Sequence, residues 1–276
     1  MKIKDCNKTK IKYEQNQREE IKKLLKNKPI LIAGPCAIED KNQIIEIANE
    51  LKNLGINFLR GGAYKPRTNP NSFQGLGELG LKFLQEAKSL TKLMTVSEIV
   101  DPRHVELFYK YDIDILQIGS RNMANYELLK EVAKTDKYIL LKRGMCATLE
   151  EFLGAIEYIR KENNNLLLVE RGIKAYGMSS RNILDLGIVN VLKNLDETKD
   201  LPILIDPSHA AGKRELVINF ALAGISAKAD GLIVEVHNNP EMALSDREQQ
   251  LTIKEFETLV KKVKQIYRSL NLPEKF

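Results

Sequence analysis

Four side chains able to grip a metal ion stand far apart in this 276-residue sequence: Cys36, His209, Glu235 and Asp246. A thiolate, an imidazole and two carboxylates form a mixed soft and hard donor set, suited to one divalent first-row ion such as Mn, Fe, Co or Zn. His237 and Asp206 offer the same donor types nearby, so spacing leaves them as rival ligands. A lone cysteine after an apolar run is also a common small core residue. A second set is cationic and comprises Arg60, Lys65, Arg67, Arg121, Lys142 and Arg171. Gathered at one mouth, these cations repel one another unless anions neutralise them. Such a site expects a multiply charged ligand, for example phosphates with a carboxylate. Taken singly, each could be an ordinary solvated loop charge.

These residues follow short apolar runs, and the runs must position them. The runs are Ile30–Ala33, Asn57–Leu59, Leu93–Val96, Asp114–Ile118, Tyr138–Leu141, Leu166–Val169, Pro202–Ile205 and Gly231–Val234. Near-continuous apolar character is the pattern of strands buried on both faces of a parallel sheet. Between them lie stretches with apolar residues at helical spacing and charge opposite: Asn42–Leu54, Leu79–Leu90, Val105–Tyr111, Tyr126–Lys134, Leu149–Lys161, Ile183–Leu192 and Glu215–Lys228. Thr148 and Glu151 have capping-box spacing, and Asp101-Pro102 resembles an N-cap followed by proline at the first helical position.

Strand and helix alternate eight times without a Pro/Gly/Ser-rich linker, which predicts an α/β fold: one (β/α)8 TIM barrel over residues 30–276 closed by a helix at Leu251–Leu270. Residues 1–29 are a polar, lysine-rich extension with a helix-like piece at Glu14–Leu25, placed to cap the barrel bottom or to meet another subunit. In such barrels the active site forms at the carboxyl ends of the strands, where both chemical sets fall.

Composition narrows the function classes. A net charge of +6 with 29% charged and 43% hydrophobic residues is globular, not disordered. No apolar run is long enough to span a bilayer and no apolar segment follows the N-terminus, so no membrane association and no secretion are expected. Cys6, Cys36 and Cys146 make no disulfide framework and fit a reducing cytoplasm. The lysines are dispersed and tryptophan is absent, so no nucleic-acid groove is expected.

Four longer motifs then become recognisable: Gly34-Pro35-Cys36-Ala-Ile-Glu39, Lys65-Pro66-Arg67-Thr68-Asn-Pro-Asn-Ser-Phe73-Gln74-Gly75-Leu76-Gly77, Gln117-Ile-Gly-Ser-Arg121-Asn122-Met and Asp206-Pro-Ser-His209-Ala-Ala-Gly-Lys213-Arg214. They closely resemble 3-deoxy-D-arabino-heptulosonate 7-phosphate (DAHP) synthase, in the short type I form close to KDO8P synthase. The resemblance runs in register from about Ile30 to the last helix. It implies condensation of phosphoenolpyruvate with D-erythrose 4-phosphate, the first step of the shikimate pathway to aromatic amino acids, in a cytoplasmic homo-oligomer, tetramer or dimer.

Carried over residue by residue, the resemblance makes Cys36, His209, Glu235 and Asp246 the metal ligands. Arg121, Lys142 and Arg171 hold the phosphoenolpyruvate phosphate, Arg60 and Lys65 orient its carboxylate end, and Pro66, Arg67 and Thr68 line the aldose phosphate site. Catalytic roles fall to Lys65, Glu98, Lys142 and His209, with Glu98 and Lys142 as candidates for proton handling. The implied chemistry is Lewis-acid activation of the aldehyde, attack by C3 of phosphoenolpyruvate, and addition of water at C2 with loss of phosphate.

The alternative acceptor is arabinose 5-phosphate, as in KDO8P synthase. Lys65-Pro-Arg-Thr68 and Asp206-Pro-Ser-His209 both favour the four-carbon sugar over it. A catalytically silent barrel would have lost site residues, and none is missing here. The chain departs from the family pattern at Lys174-Ala-Tyr-Gly-Met-Ser-Ser-Arg-Asn182, at Arg247 where glycine is usual, and at Asn69. The 29 residues before the first strand are too few for a ferredoxin-like or chorismate mutase domain, so no built-in feedback by Phe or Tyr is expected.

Overall fold

The computed structural model describes residues 15–176 and 179–270, and its eight strands close into a parallel barrel in sequence order. They are β1 (Ile30–Gly34), β2 (Phe58–Arg60), β3 (Met94–Glu98), β4 (Ile115–Ile118), β5 (Tyr138–Lys142), β6 (Leu166–Glu170), β7 (Ile203–Ile205) and β8 (Gly231–Glu235). The ring closes through β1 and β8, with Gly34 opposite Glu235. Gly34 takes φ 144°, and a Cβ there would lie 2.0 Å from the Arg60 carbonyl oxygen, so only glycine lets β1 and β2 approach at the site.

Side chains alternate along each strand and form two separate cores. Outward-facing Leu31, Ala33, Leu59, Leu116, Leu141, Leu168, Ile205 and Val234 pack in the cluster that also takes in the surrounding helices. Inward-facing Ile32, Phe58, Val96, Ile115, Leu140, Val169, Leu204 and Ile233 fill the barrel. Two residues further along each strand, the inward position is no longer apolar: it is Gly34, Arg60, Glu98, Gln117, Lys142, Arg171, Asp206 and Glu235 in turn. The strands therefore run one residue or more past several predicted ends, and many reactive groups sit on the rigid wall rather than in loops.

The helices follow the expected pattern with small shifts at their ends. The Thr148–Glu151 capping box is formed at Leu149–Arg160, and Asp101 caps a 3₁₀ turn at Pro102–His104. The stretch Ile183–Leu192 needs correction. Its helix spans Gly187–Asn194, because Ile183 is held in an antiparallel bridge with Ile173 whose two N–H groups donate to the opposite carbonyls at 2.8 and 2.9 Å. Of the predicted piece Glu14–Leu25, residues 15–25 are helical and Glu14 lies outside the described residues. Ile21 and Leu25 of that helix are buried in the inner core, so it caps the barrel bottom.

Candidate active site

The inward polar ring surrounds a cavity of about 250 Å³ at the carboxyl ends of the strands. Its lining includes Arg60, Lys65, Pro66, Arg67, Thr68, Glu98, Arg121, Lys142, Arg171, His209 and Asp246, which brings together every predicted substrate residue. Cys36 and Glu235 are fully buried just behind this surface. Gly119 makes room for Glu98, since a Cβ there would lie 1.9 Å from the Glu98 carboxylate.

Three of the four predicted metal donors cluster, and His209 stands beside two of them. Ligand atoms of Cys36, Glu235 and Asp246 all lie within 4.8 Å of one another. His209 Nε2 is 3.6 Å from Glu235 Oε1 and 3.8 Å from Asp246 Oδ2. The Cys36 thiol donates to Asp246 Oδ2 at 3.2 Å. Burial and then the Glu235 charge push that thiol up to about 12, so in the absence of a cation it stays neutral. Burial moves His209 downward despite Asp206 and Glu235, which favours the neutral ring that can act as a ligand. His209 Nδ1 lies 2.8 Å from Asp206 Oδ2, which leaves Nε2 facing the cluster, the carboxylate–histidine pairing common behind metal ligands. The donor set fits a divalent ion.

The rivals are separated by geometry. His237 Nδ1 accepts from the Asn239 N–H at 2.9 Å, and Nε2 faces the Gln43 amide at 2.9 Å, on the side of the barrel wall where Glu39 also lies. Asp206 serves His209 and Lys142 instead: Oδ1 accepts from the His209 backbone N–H at 2.9 Å, and Oδ2 pairs with the Lys142 ammonium.

The cations divide into two kinds. Arg60 is paired, donating from Nη1 to Glu235 Oε1 at 2.8 Å and from Nη2 to the Cys36 carbonyl at 3.3 Å. Burial opposes its charge, but Glu235 more than restores it. Lys142 is buried, and that burial draws its ammonium below the ordinary lysine range despite Asp206. Burial likewise lowers Arg171, whose Nη1 donates to the Gly172 carbonyl at 3.2 Å. Among the described residues no carboxylate pairs with Arg121 or Arg171, and both face the cavity. Arg67 approaches Asp246 Oδ1 only to 4.0 Å.

Several lining or supporting residues escaped the sequence reading. Gln117 completes the inward ring beside Glu98, its Nε2 3.5 Å from Glu98 Oε2, and period-two counting from Ile115 would have found it. Arg181 and Gln249 carry no such signal, since loops bring them to the site.

Comparison with known proteins agrees with this geometry. The family model described as the DAHP synthetase I family matches residues 9–271. A phospho-2-dehydro-3-deoxyheptonate aldolase of Thermotoga maritima is 44% identical over 243 residues, 88% of this chain and 71% of its own length. A 2-dehydro-3-deoxyphosphooctonate aldolase of Desulfosudis oleivorans is 28% identical over 84% of this chain and 88% of its own. Among solved structures, the crystal structure of the Thermotoga maritima aldolase (DAHP synthase) superposes with TM-score 0.84 at 43% identity, covering 89% of this chain and 71% of that one. A truncated 3-deoxy-D-arabino-heptulosonate 7-phosphate synthase from the same organism gives 0.80 at 40% identity, covering 89% and 88%. A barrel with this cationic mouth and four-donor cluster, matched over nearly its whole length, belongs to the DAHP synthetase I family.

Proposed function

We infer that the chain is a 3-deoxy-7-phosphoheptulonate synthase that joins phosphoenolpyruvate to D-erythrose 4-phosphate and releases phosphate. One observation carries the reading: cations with no acidic partner among the described residues and a cluster of metal-type donors line or back a single small cavity. Arg121, Lys142 and Arg171 take the phosphoenolpyruvate phosphate, and Lys65 takes its carboxylate. Arg60, which gives one N–H to Glu235 and one to the Cys36 carbonyl and also lines the cavity, helps to orient that carboxylate end. Pro66, Arg67 and Thr68 receive the aldose phosphate.

Cys36, His209, Glu235 and Asp246 would hold one divalent ion. When bound, it supplies Lewis-acid activation of the aldehyde oxygen. The new bond joins C3 of phosphoenolpyruvate to the aldehyde carbon; water adds at C2, and phosphate departs with the C2–O bond. Positive charge developing at C2 is met by Glu98, which lines the cavity. Lys142, lowered by burial and steadied by Asp206, is placed to hand over or take up a proton. Among the described residues no helix is long and apolar enough to cross a membrane. A cytoplasmic homo-oligomer, dimer or tetramer, accords with the family resemblance and is checked by light scattering.

The test is phosphate release from phosphoenolpyruvate with metal-loaded protein, offering erythrose 4-phosphate or arabinose 5-phosphate, with and without EDTA. Strong preference for the four-carbon sugar, abolished by the chelator, is expected. Equal or better use of the five-carbon sugar overturns the roles of Lys65 to Thr68. Activity undiminished by thorough chelation overturns the metal role of Cys36 and its partners.

A further inference from the structure

The loop after β8 carries Asp246, and its backbone is held in an unusual shape. Asp246 has φ 45°, in the left-handed region that non-glycine residues enter at some cost. Three side chains hold it there. Gln250, fully buried, accepts from the Cys36 N–H at 3.0 Å and donates to the Ser245 carbonyl at 2.8 Å. Arg214 donates to the carbonyls of Gln250 and Arg247 at 2.8 and 3.1 Å. Gln249, 2% exposed, donates from Nε2 to Glu235 Oε2 at 2.6 Å and accepts at Oε1 from Arg181 Nη1 at 2.9 Å.

The orientation of the Gln249 amide follows from its neighbours. A carboxylate only accepts and a guanidinium only donates, so the NH₂ must face Glu235 and the oxygen must face Arg181. With Arg60 on Oε1 and Gln249 on Oε2, the Glu235 carboxylate is fixed in rotation from both sides. Arg181 lines the substrate cavity and also lies 3.7 Å from Asp246 Oδ1. One amide thus links a cavity arginine to a carboxylate of the donor cluster.

We propose that Gln249 is a positioning residue for the metal centre, setting the orientation of Glu235 while Arg181 sets the orientation of Gln249. The inference rests on the metal reading of Cys36, His209, Glu235 and Asp246 given above. Partners that orient metal ligands typically change metal affinity by about 10–100-fold when removed. Gln249 does not line the cavity but holds Glu235, so its loss should act on metal affinity first.

The test uses full-length wild type, Gln249→Met and Arg181→Met, each stripped of metal. Mn²⁺ or Zn²⁺ is titrated against a chromophoric chelator, KM for phosphoenolpyruvate is measured at saturating metal, and the thermal midpoint of the metal-free form is recorded. Gln249→Met is expected to bind the ion about 10–100-fold more weakly, with KM for phosphoenolpyruvate little changed. Arg181→Met should show a smaller loss in the same direction. Arg181 is exposed rather than part of the core, so that variant tests the proposal even if Gln249→Met folds poorly. Metal affinities of both variants within about twofold of wild type, with the metal-free midpoints preserved, would overturn it. If wild type itself takes up no ion, the metal reading fails and the proposal falls with it.

Discussion

At the N-terminal end of the barrel, two buried aspartates stand four strands apart, and each is satisfied on all sides. Asp114, just before β4, accepts from the Thr95 N–H at 2.7 Å and the Thr95 hydroxyl at 2.9 Å, pairs with Lys88 at 2.8 Å and receives the Gln17 amide. Asp230, just before β8, accepts from the Ile203 N–H at 2.9 Å, pairs with Lys193 at 3.0 Å and receives the Lys28 ammonium. Gln17 and Lys28 belong to one segment, which is therefore tied down on opposite sides of the barrel floor. At the other end, Arg121 and Arg171 face an open cavity with no acidic partner among the described residues, and Cys36, Glu235 and Asp246 cluster with His209 beside them. Charge that is matched within the chain holds the fold, and charge left unmatched awaits a ligand.

The contrast also locates the net charge. Residues 1–28 hold ten Lys or Arg and four Asp or Glu, which accounts for the whole formal charge of +6. The remaining chain is balanced, so the cationic mouth is a local imbalance rather than a product of overall basicity.

Three changes test this division. Cys36→Ala removes a donor from the unmatched end; losing ion-assisted charge stabilisation of about 4 kcal/mol should lower kcat/KM about a thousandfold, with the metal-free unfolding free energy changed by about 1 kcal/mol. A large loss of metal-free stability would instead mark Cys36 as a core residue. Ile21→Ala probes the matched end, where it opens a cavity beneath the inner core. Denaturant unfolding should show a loss of about 2–5 kcal/mol while the folded fraction keeps its kcat; an equal fall in kcat would break the separation of the two ends.

The smallest effect is a pH dependence. Burial disfavours the Lys88 ammonium, but Asp114 and Asp112 more than offset this and raise it above the ordinary 10.5. A raised folded value means that its stabilisation is complete below 10.5 and fades as pH climbs through the folded value. Unfolding free energies from pH 8 upward should fall more steeply in wild type than in Lys88→Met. Parallel curves would show that the ion pair contributes nothing.

Much of this was legible in the sequence, because parallel strands buried on both faces write themselves as apolar runs. The site residues were legible for the same reason: the inward register continues past the last apolar side chain to Arg60, Lys142 and Glu235. What one dimension hides is pairing. Nothing in the sequence distinguishes Arg60, committed to Glu235, from Arg121, which faces the cavity with no carboxylate partner among the described residues. Asp114 and Asp230 read as strand-edge residues until the N-terminal segment is folded beneath them. The helix start at Gly187 was hidden because Ile183 has helical spacing but is captured by its bridge to Ile173. Gln249 was hidden because an amide is informative only when both of its neighbours are known.

The most direct test compares one residue from each end, Arg121→Met and Asp114→Ala, by measuring KM for phosphoenolpyruvate and unfolding free energy on both proteins. Loss of a charge-assisted contact of about 1.5–3 kcal/mol predicts a KM about 10–100-fold higher for Arg121→Met, with stability within about 0.5 kcal/mol of wild type. Leaving half-buried Lys88 without its buried partner, and the Thr95 N–H and hydroxyl without their acceptor, predicts a loss of about 3–5 kcal/mol for Asp114→Ala, with KM within about twofold. A destabilised Arg121→Met with unchanged KM, or an Asp114→Ala that alters KM without losing stability, would contradict the account.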